Sequence, residues 1–339
     1  MNFQVIKRVI KLGICYNLIK HSNIWEEFLL ISVIMPVYNE GNQIYSNVVK
    51  VISILARNKT EHQIVLVNDG SSDNSWSEMQ RLSRDYANVL IIKLSRNFGK
   101  EAAICAGLEN SLGDACLILD SDLQHPPEMI PEMIRLWRDE CYDVVEGVKS
   151  HRGKESLAGK FAALTFYKFF RKTTGINLNS ASDFKLLDRK VVDSWKQMNE
   201  SITFFRGMSA WLGFNRIQVP FNVQERVNGT TKWSKANLIK LAIHSITSFS
   251  ALPLHLVTCL GTVLLIVDVV LVTQTMFMKY TGKASTGFTT VIILILGVGS
   301  LIMISLGIIG VYLSKIYDEV KHRPRYLIST MLGKELNDE

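Results

Sequence analysis

The chain has 339 residues, a formal net charge of +7, 47% hydrophobic and 20% charged residues, and a pI near 9.1. That length suits one large domain or two modest ones. The basic excess is compatible with nucleic acid, an anionic membrane surface or an anionic substrate, and the crowding of apolar residues toward the C-terminus favours membrane over nucleic acid. Five cysteines (Cys15, Cys105, Cys116, Cys141, Cys259) show no CxxC spacing, so free thiols are expected rather than a disulfide framework or a zinc site.

Residues 1–30 place Val5, Val9, Leu12, Tyr16 and Ile19 at steps of four and three, interrupted by Lys7, Arg8, Lys11 and Lys20. This reads as a basic amphipathic helix lying on a membrane surface or as a poorly ordered leader, and not as a secretory signal. From Ile31 the runs "ISVIMPV", "HQIVLV", "NVLIIKL", "ACLIL" and "YDVVEGV" alternate with segments of helical length. They predict an α/β domain with a mainly parallel sheet covered by helices, its regular part ending near Ser150.

Residues 151–250 are less regular. "FAALTFYKFFRK" suits a helix at the membrane interface, and "ANLIKLAIHSITSFSALP" leads into an apolar run, so interfacial helices are expected near residues 155–172 and 236–250. Leu254–Met278 and Val291–Leu313 each exceed the ~20 residues that span a bilayer. Lysines and arginines flank the pair on the outer sides (Lys232, Lys235, Lys240; Lys315, Lys321, Arg323, Arg325), so the positive-inside rule puts the N-terminal part and the tail in the cytoplasm. Asp268 within the first span suits a helix contact or subunit interface, with an ion site as the alternative. The expected division is a leader 1–30, a catalytic domain with an acceptor-side extension 31–235, a juxtamembrane helix 236–253, a two-helix membrane region 254–313 and a cytoplasmic tail 314–339.

In a mainly parallel sheet, ligands collect at the carboxyl ends of strands. There the sequence gathers Glu40 ("MPVYNEG"), Asp69 ("VNDGSSDNS"), and Asp120 and Asp122 ("LDSDLQ"). Crowded carboxylates call for a compensating cation, and the hard ions Mg²⁺ and Mn²⁺ take oxygen ligands. If the chain stays extended, Asp120, Asp122 and Gln124 share one face with Ser121 turned away, and they could hold a metal whose other ligands are phosphate oxygens. A DxD alone also fits a strand end or a helix cap. "DGSSDNS" reads as a turn and N-cap, with Asp69 free to meet a base or ribose. "SRNFGKEAAICAG" sets Arg96, Asn97 and Lys100 around a glycine at a helix start, a cradle for an anion or a solvated basic turn.

Taken in order, "SVIMPVYNEG", "VLVNDGSSDNS", "SRNFGKEAAICAGL", "LDSDLQHPPEMI", "SASDFKLLDRKVV", "FRGMSAWLGF", "VQERVNGTTKWS", "SITSFSALPL" and "HRPRYLI" resemble the family two glycosyltransferases of the polyprenyl-phosphate type across residues 31–328. The likeness is nearest to bactoprenol glucosyltransferases and more distant to dolichol-phosphate mannose synthases. It implies a GT-A type nucleotide-sugar-binding domain followed by interfacial helices and two C-terminal transmembrane helices. It implies that Asp120, Asp122 and Gln124 hold the metal and the diphosphate, that Pro36, Tyr38, Glu40 and Asp69 contact the nucleotide, and that Asp183 is a catalytic carboxylate. Arg226 and Lys232 match a mobile phosphate-binding loop. Where the family often has arginine near the end of the fifth strand this chain has Lys149, with Arg152 close by, and lysine cannot form a bidentate clamp.

The reaction so implied is inverting transfer of a sugar, glucose by nearest resemblance, from a UDP-sugar to undecaprenyl phosphate on the cytoplasmic face of the inner membrane, for modification of a cell-surface polymer. N-acetylglucosamine, galactose or mannose are alternatives. Expected partners are the bilayer, further copies of the chain as a homo-oligomer such as a tetramer, and a downstream flippase. The absence of QxxRW and of GxGxxG after the first strand argues against a processive synthase and a dinucleotide oxidoreductase. An inactive membrane-anchored nucleotide-sugar sensor is the rival from another class.

Overall fold

A computed structural model describes residues 29–149, 182–198, 205–221, 252–281 and 287–333. The leader, both expected interfacial helices, Arg152, Arg226 and Lys232 lie outside the described residues, as do the side chains of Lys149 and Asp268. The chain divides into two compact units: Met1–Tyr167 with Ile176–Thr230 and Pro324–Glu339, and Lys168–Gly175 with Thr231–Arg323.

The first unit is built on a sheet whose strands are β1 (Leu30–Val37), β2 (Glu61–Asn68), β3 (Val89–Leu94), β4 (Ala115–Ile118), β5 (Val144–Lys149), β6 (Lys185–Asp188), β7 (Arg216–Phe221) and β8 (Ile328–Leu332), in the order β7-β5-β6-β4-β1-β2-β3-β8. The five expected strands are all present. β1 pairs in parallel with β2 and β4, β2 with β3, and β5 with β7, whereas β6 runs antiparallel to both β4 and β5 and β8 antiparallel to β3.

The central strands read as continuous apolar runs because both faces are covered. Ile31, Val33, Ile34, Met35, Val37, Ile64, Leu66, Ile91 and Leu117 are all fully buried. Around them lie α1 (Ile44–Arg57), α2 (Ser75–Asp85), α3 (Lys100–Glu109), α4 (Ile130–Arg138), α5 (Arg189–Lys196) and α6 (Phe205–Trp211). α1 buries Ile44, Val48, Val51 and Leu55, the helical spacing of a one-sided stripe. α3 differs, since Ala102 to Leu108 are buried all round it. Its Gly107 permits the close approach to β1, where a Cβ would stand 2.3 Å from Ile34 Cγ2. Each large side chain buried in this way contributes about 1.5–3 kcal/mol.

Three strands, β6, β7 and β8, extend the sheet beyond its expected end near Ser150. β6, the four-residue run "KLLD", enters between β4 and β5 and makes the sheet mixed. Trp137 Nε1 donates to Asp188 Oδ2 at 2.7 Å in the core, tying α4 to the end of that strand. β8 comes from the segment expected as a tail. It adds an edge strand with Ile91 opposite Leu332, and Leu327 O accepts from Ser95 N at 2.9 Å.

The second unit holds α7 (Leu252–Tyr280) and α8 (Phe288–Val320), each long and apolar enough to cross a membrane. Many of their apolar side chains are exposed, Leu265 by 64%, Val272 by 63% and Met303 by 68%. α8 runs past Leu313 because no breaker occurs before the "HRP" at 322–324.

Candidate active site

The carboxyl ends of β1, β2 and β4 open into a cavity of about 300 Å³ lined by Pro36, Val37, Tyr38, Glu40, Asp69, Asn97, Gly99, Lys100, Asp120, Ser121 and Asp122. Most of the residues expected to bind nucleotide or metal therefore meet in one place. Gln124 is not part of that lining, and Lys149 ends β5 in register with Phe221.

The loop after β1 is latched to the loop after β2. Asn39 N donates to Ser71 Oγ (3.0 Å), Glu40 N to Ser75 Oγ (2.9 Å) and Gly41 N to Asp73 Oδ2 (2.9 Å), while Ser72 N donates to Asn39 Oδ1 (2.9 Å). These bonds fix Tyr38, which is 51% exposed, at the mouth. Burial first, then the charges of Asp122 and Asp73, push the Glu40 carboxyl up from its ordinary value.

Asp69 is buried and has both oxygens engaged, Oδ1 by Phe98 N at 2.7 Å and Oδ2 by Gly99 N at 2.9 Å. Burial raises its pKa and the two amide hydrogen bonds oppose that rise. The anion cradle read from "SRNFGK" thus already has an occupant, because the amides of Phe98 and Gly99 are committed to Asp69. The Arg96 guanidinium lies over the Phe98 ring, 4.3 Å from its centroid.

The expectation of an extended Asp120-Ser121-Asp122 is corrected by the structure. The chain turns there: Leu123 N donates to Asp120 O (3.2 Å), Leu123 has φ +49°, and Gln124 N donates to Asp122 Oδ1 (3.1 Å). Ser121 is buried and its carbonyl accepts from Asn47 Nδ2 of α1 at 2.7 Å. Both aspartates still line the cavity, but through a turn pinned by α1 rather than through strand alternation.

Beside this turn lies a charge cluster. Lys100 Nζ stands 2.6 Å from Asp120 Oδ1 and 2.8 Å from Asp183 Oδ2. Burial alone would lower the lysine pKa, yet Asp120 and Asp183 hold it above its ordinary value. Asp183 also receives Arg206 of α6, Nε to Oδ1 at 2.7 Å and Nη2 to Oδ2 at 2.9 Å. Burial would raise this carboxyl, but Arg206 and Lys100 overcome it and keep Asp183 far below the usual carboxylate range. Glu101, next along α3, accepts from Phe205 N at 2.8 Å. Burial, followed by the charge of Asp183, pushes its pKa up to about 7.

Under the cluster sits a buried ion pair. Glu146 Oε1 lies 3.3 Å from Lys185 Nζ and accepts from Ser182 N at 2.9 Å, its Oε2 accepts from Gln218 Nε2 at 3.2 Å, and Lys185 Nζ donates to Ser209 Oγ at 2.7 Å. The pair joins β5, β6, β7 and α6; Asp183 lies two residues before β6 and Arg206 is in α6. His125, stacked on Phe184 with centroids 5.2 Å apart, brings Nδ1 to 3.8 Å from Asp120 Oδ2. Sequence reasoning missed Arg206, Glu101, His125 and the Glu146–Lys185 pair. The pair had a legible signal, one acid in "VVEGV" and one base in "FKLLD", single opposite charges inside two apolar strands.

The sequence profile of glycosyl transferase family 2 matches residues 32–195. A protein of Synechocystis named as an uncharacterized glycosyltransferase is 36% identical, aligning over 90% of this chain and 96% of its own. The bactoprenol glucosyl transferase of Shigella phage SfV is 33% identical over 88% of this chain and 97% of its own. Among solved structures, glucosyl-3-phosphoglycerate synthase of Mycobacterium tuberculosis, crystallised with Mn²⁺, uridine-diphosphate and phosphoglyceric acid, superposes with a TM-score of 0.47 at 20% identity, over 66% of this chain and 78% of that one. The identity to whole-length relatives decides the matter: the chain belongs to glycosyl transferase family 2 and is a glycosyltransferase with a GT-A-like α/β domain.

Proposed function

We infer that the protein transfers glucose from UDP-glucose to undecaprenyl phosphate on the cytoplasmic face of the inner membrane, inverting the anomeric centre. The observation that carries this reading is the joining, through Lys100, of the strand-end acid Asp120 to the cation-saturated Asp183. A donor diphosphate and an acceptor phosphate both need positive charge beside them, and here an ammonium and a guanidinium are held for that purpose. The relatives named for bactoprenol glucosyl transfer support the choice of sugar and acceptor.

Asp120 and Asp122 suit a divalent cation, because carboxylate oxygens are the ligands that Mg²⁺ and Mn²⁺ prefer. Among the described residues no three His, Cys, Asp or Glu side chains group closely enough to hold a metal. The remaining positions would fall to diphosphate oxygens, since Gln124 is not among the residues that line the cavity. Once bound, such a cation supplies Lewis-acid stabilisation of the leaving diphosphate.

The protein's own groups do the rest. Pro36, Tyr38, Glu40, Asp69 and Asn97 shape the nucleotide end of the cavity. The acceptor phosphate, with a second pKa of about 6, is largely dianionic near neutrality and needs no base to become a nucleophile. Asp183, already paired twice with cations, is unsuited to take a proton; it orients Lys100 and Arg206 toward the anions. Lys149, Arg152, Arg226 and Lys232 would add charge for the acceptor phosphate. The helices α7 and α8 would anchor the protein in the bilayer that a polyprenyl chain, at ~0.8 kcal/mol per buried CH₂, does not leave, and the interfacial helices expected near residues 155–172 and 236–250 would bring the site to the headgroup plane. The product would pass to a flippase for attachment to a cell-surface polymer, and a homo-oligomer such as a tetramer is part of this reading.

The test is transfer of radiolabelled sugar from a panel of UDP- and GDP-sugars to undecaprenyl phosphate in detergent, with Mg²⁺ or Mn²⁺, alongside Asp122→Ala. Labelled lipid from UDP-glucose that is lost in the mutant and carries a β-linked sugar supports the reading. Bound UDP without turnover from any donor would favour the sensor.

A further inference from the structure

Among the described residues Lys100 is the only cation lining the cavity, and its ammonium lies on Asp120, one of the two acids suited to a metal. An ammonium 2.6 Å from Asp120 Oδ1 competes with a divalent cation for that oxygen, and two positive charges cannot share it cheaply. Lys100 also has somewhere else to go. Its second partner, Asp183 Oδ2, is already at 2.8 Å, and the four-carbon stem can pivot without leaving the charge unpaired. The pair with Asp120 is partly exposed, the lysine side chain by 41% and the aspartate by 25%, so it adds little to folding. Its geometry is better explained by competition than by stability.

We propose that Lys100 is a built-in counter-ion that competes with the divalent cation for Asp120 and passes wholly to Asp183 when that cation arrives. The empty site would thus be kept from carrying unpaired acid, and loading of the donor side would be felt at the Asp183–Arg206 pair. The inference rests on the reading of Asp120 and Asp122 as cation ligands, and extends it to a residue outside the ligand set.

The experiment measures Mn²⁺ binding to the full-length protein in detergent by the electron paramagnetic resonance signal of free Mn²⁺, without nucleotide, together with UDP binding in EDTA. Lys100→Met should tighten Mn²⁺ about tenfold while weakening metal-free UDP. Asp183→Asn should do the reverse to Mn²⁺, weakening it about threefold, since the ammonium is left with Asp120 alone. Arg206→Met removes an equal charge from the same cluster without touching Asp120, and should shift Mn²⁺ less than Lys100→Met does. Lys50→Met, at a surface pair with Glu128, should leave both affinities unchanged. Unchanged or weaker Mn²⁺ binding in Lys100→Met overturns the proposal, as does an equal shift in Arg206→Met. If Lys100→Met does not fold, Asp183→Asn decides, and unchanged or tighter Mn²⁺ there overturns it. If wild-type protein transfers sugar and binds Mn²⁺ but the variants show none of these shifts, this inference alone is refuted, whereas wild-type protein that binds no Mn²⁺ removes the ligand assignment as well.

Discussion

Arg206 holds Asp183 through two parallel charge-assisted hydrogen bonds, Nε to Oδ1 at 2.7 Å and Nη2 to Oδ2 at 2.9 Å. A planar fork matched to a carboxylate fixes both groups at once, which a lysine cannot do. Asp183 is held far below the usual carboxylate range, so it stays ionised through the neutral and mildly acidic range. An acid limb in kcat should therefore follow the acceptor phosphate, near pH 6, and not Asp183. Arg206→Lys should keep that limb and lower kcat about tenfold. Replacing the acceptor by a phosphonate with a different second pKa is the check: a limb that stays put would assign it to the protein.

Glu101 makes stability depend on pH. Burial foremost, with the charge of Asp183 added, lifts its pKa from 4.5 to about 7. The folded chain then binds a proton that the unfolded chain has released, so the contribution is present in full below about 4.5 and is lost as pH rises through about 7. Glu101→Gln retains an acceptor for Phe205 N and cannot ionise. Thermal unfolding in detergent from pH 5 to 8 should fall less steeply in the variant, which should be the more stable at pH 8 by up to about 3 kcal/mol. Parallel curves for the two proteins would assign the pH dependence elsewhere.

How far the sequence was legible follows from the range of each interaction. The five strands from Ile31 to Val148 could be read because each is a local apolar run. β6 and β7 could not, since "KLLD" is too short for a pattern and "RIQVPF" contains a proline that weakens any strand assignment. β8 lies beyond two membrane-length helices, and its partner β3 is more than two hundred residues earlier in the chain. In the site, Asp69, Asp120 and Asp122 were found because acids at strand ends are a local signal. Arg206 was not, because nothing in "FRGMSAW" announces that its partner is Asp183. The turn at Leu123 was also hidden, a positive φ at a leucine being the opposite of what its side chain prefers.

The buried pair of Lys185 and Glu146 should behave as a unit. Both side chains are almost fully buried, and burial foremost lowers the lysine pKa while Glu146 opposes that. Lys185→Met alone leaves a buried acid without its cation and should cost about 3–5 kcal/mol. Adding Glu146→Gln removes the stranded charge while keeping an acceptor for Ser182 N, so the double variant should recover much of the loss. Chemical unfolding of the two singles and the double closes the cycle. Additive losses would mean that the two charges do not stabilise each other.

Gly70 ties backbone geometry to the lining of the cavity. It follows Asp69 with φ +68°, and a Cβ there would lie 2.5 Å from Asn97 N and 2.6 Å from Arg96 C. Both neighbours are backbone atoms, so no side-chain rotation relieves the clash, and the loop that supplies Phe98 N and Gly99 N to Asp69 has to shift. Gly213 has a similar φ of +71°, but a Cβ there would come only within 3.8 Å of Trp211 O. Gly213→Ala should thus cost the left-handed strain alone, about 1 kcal/mol. Gly70→Ala should cost that plus the overpacking, about 2–4 kcal/mol in all. Because Asn97 lines the cavity, Gly70→Ala should also raise KM for the donor several-fold, and Gly213→Ala should leave it alone. Thermal unfolding and donor kinetics on the two variants separate the contributions: equal losses of stability would show that the loop yields freely, and an unchanged KM in Gly70→Ala would remove Asn97 from the donor site.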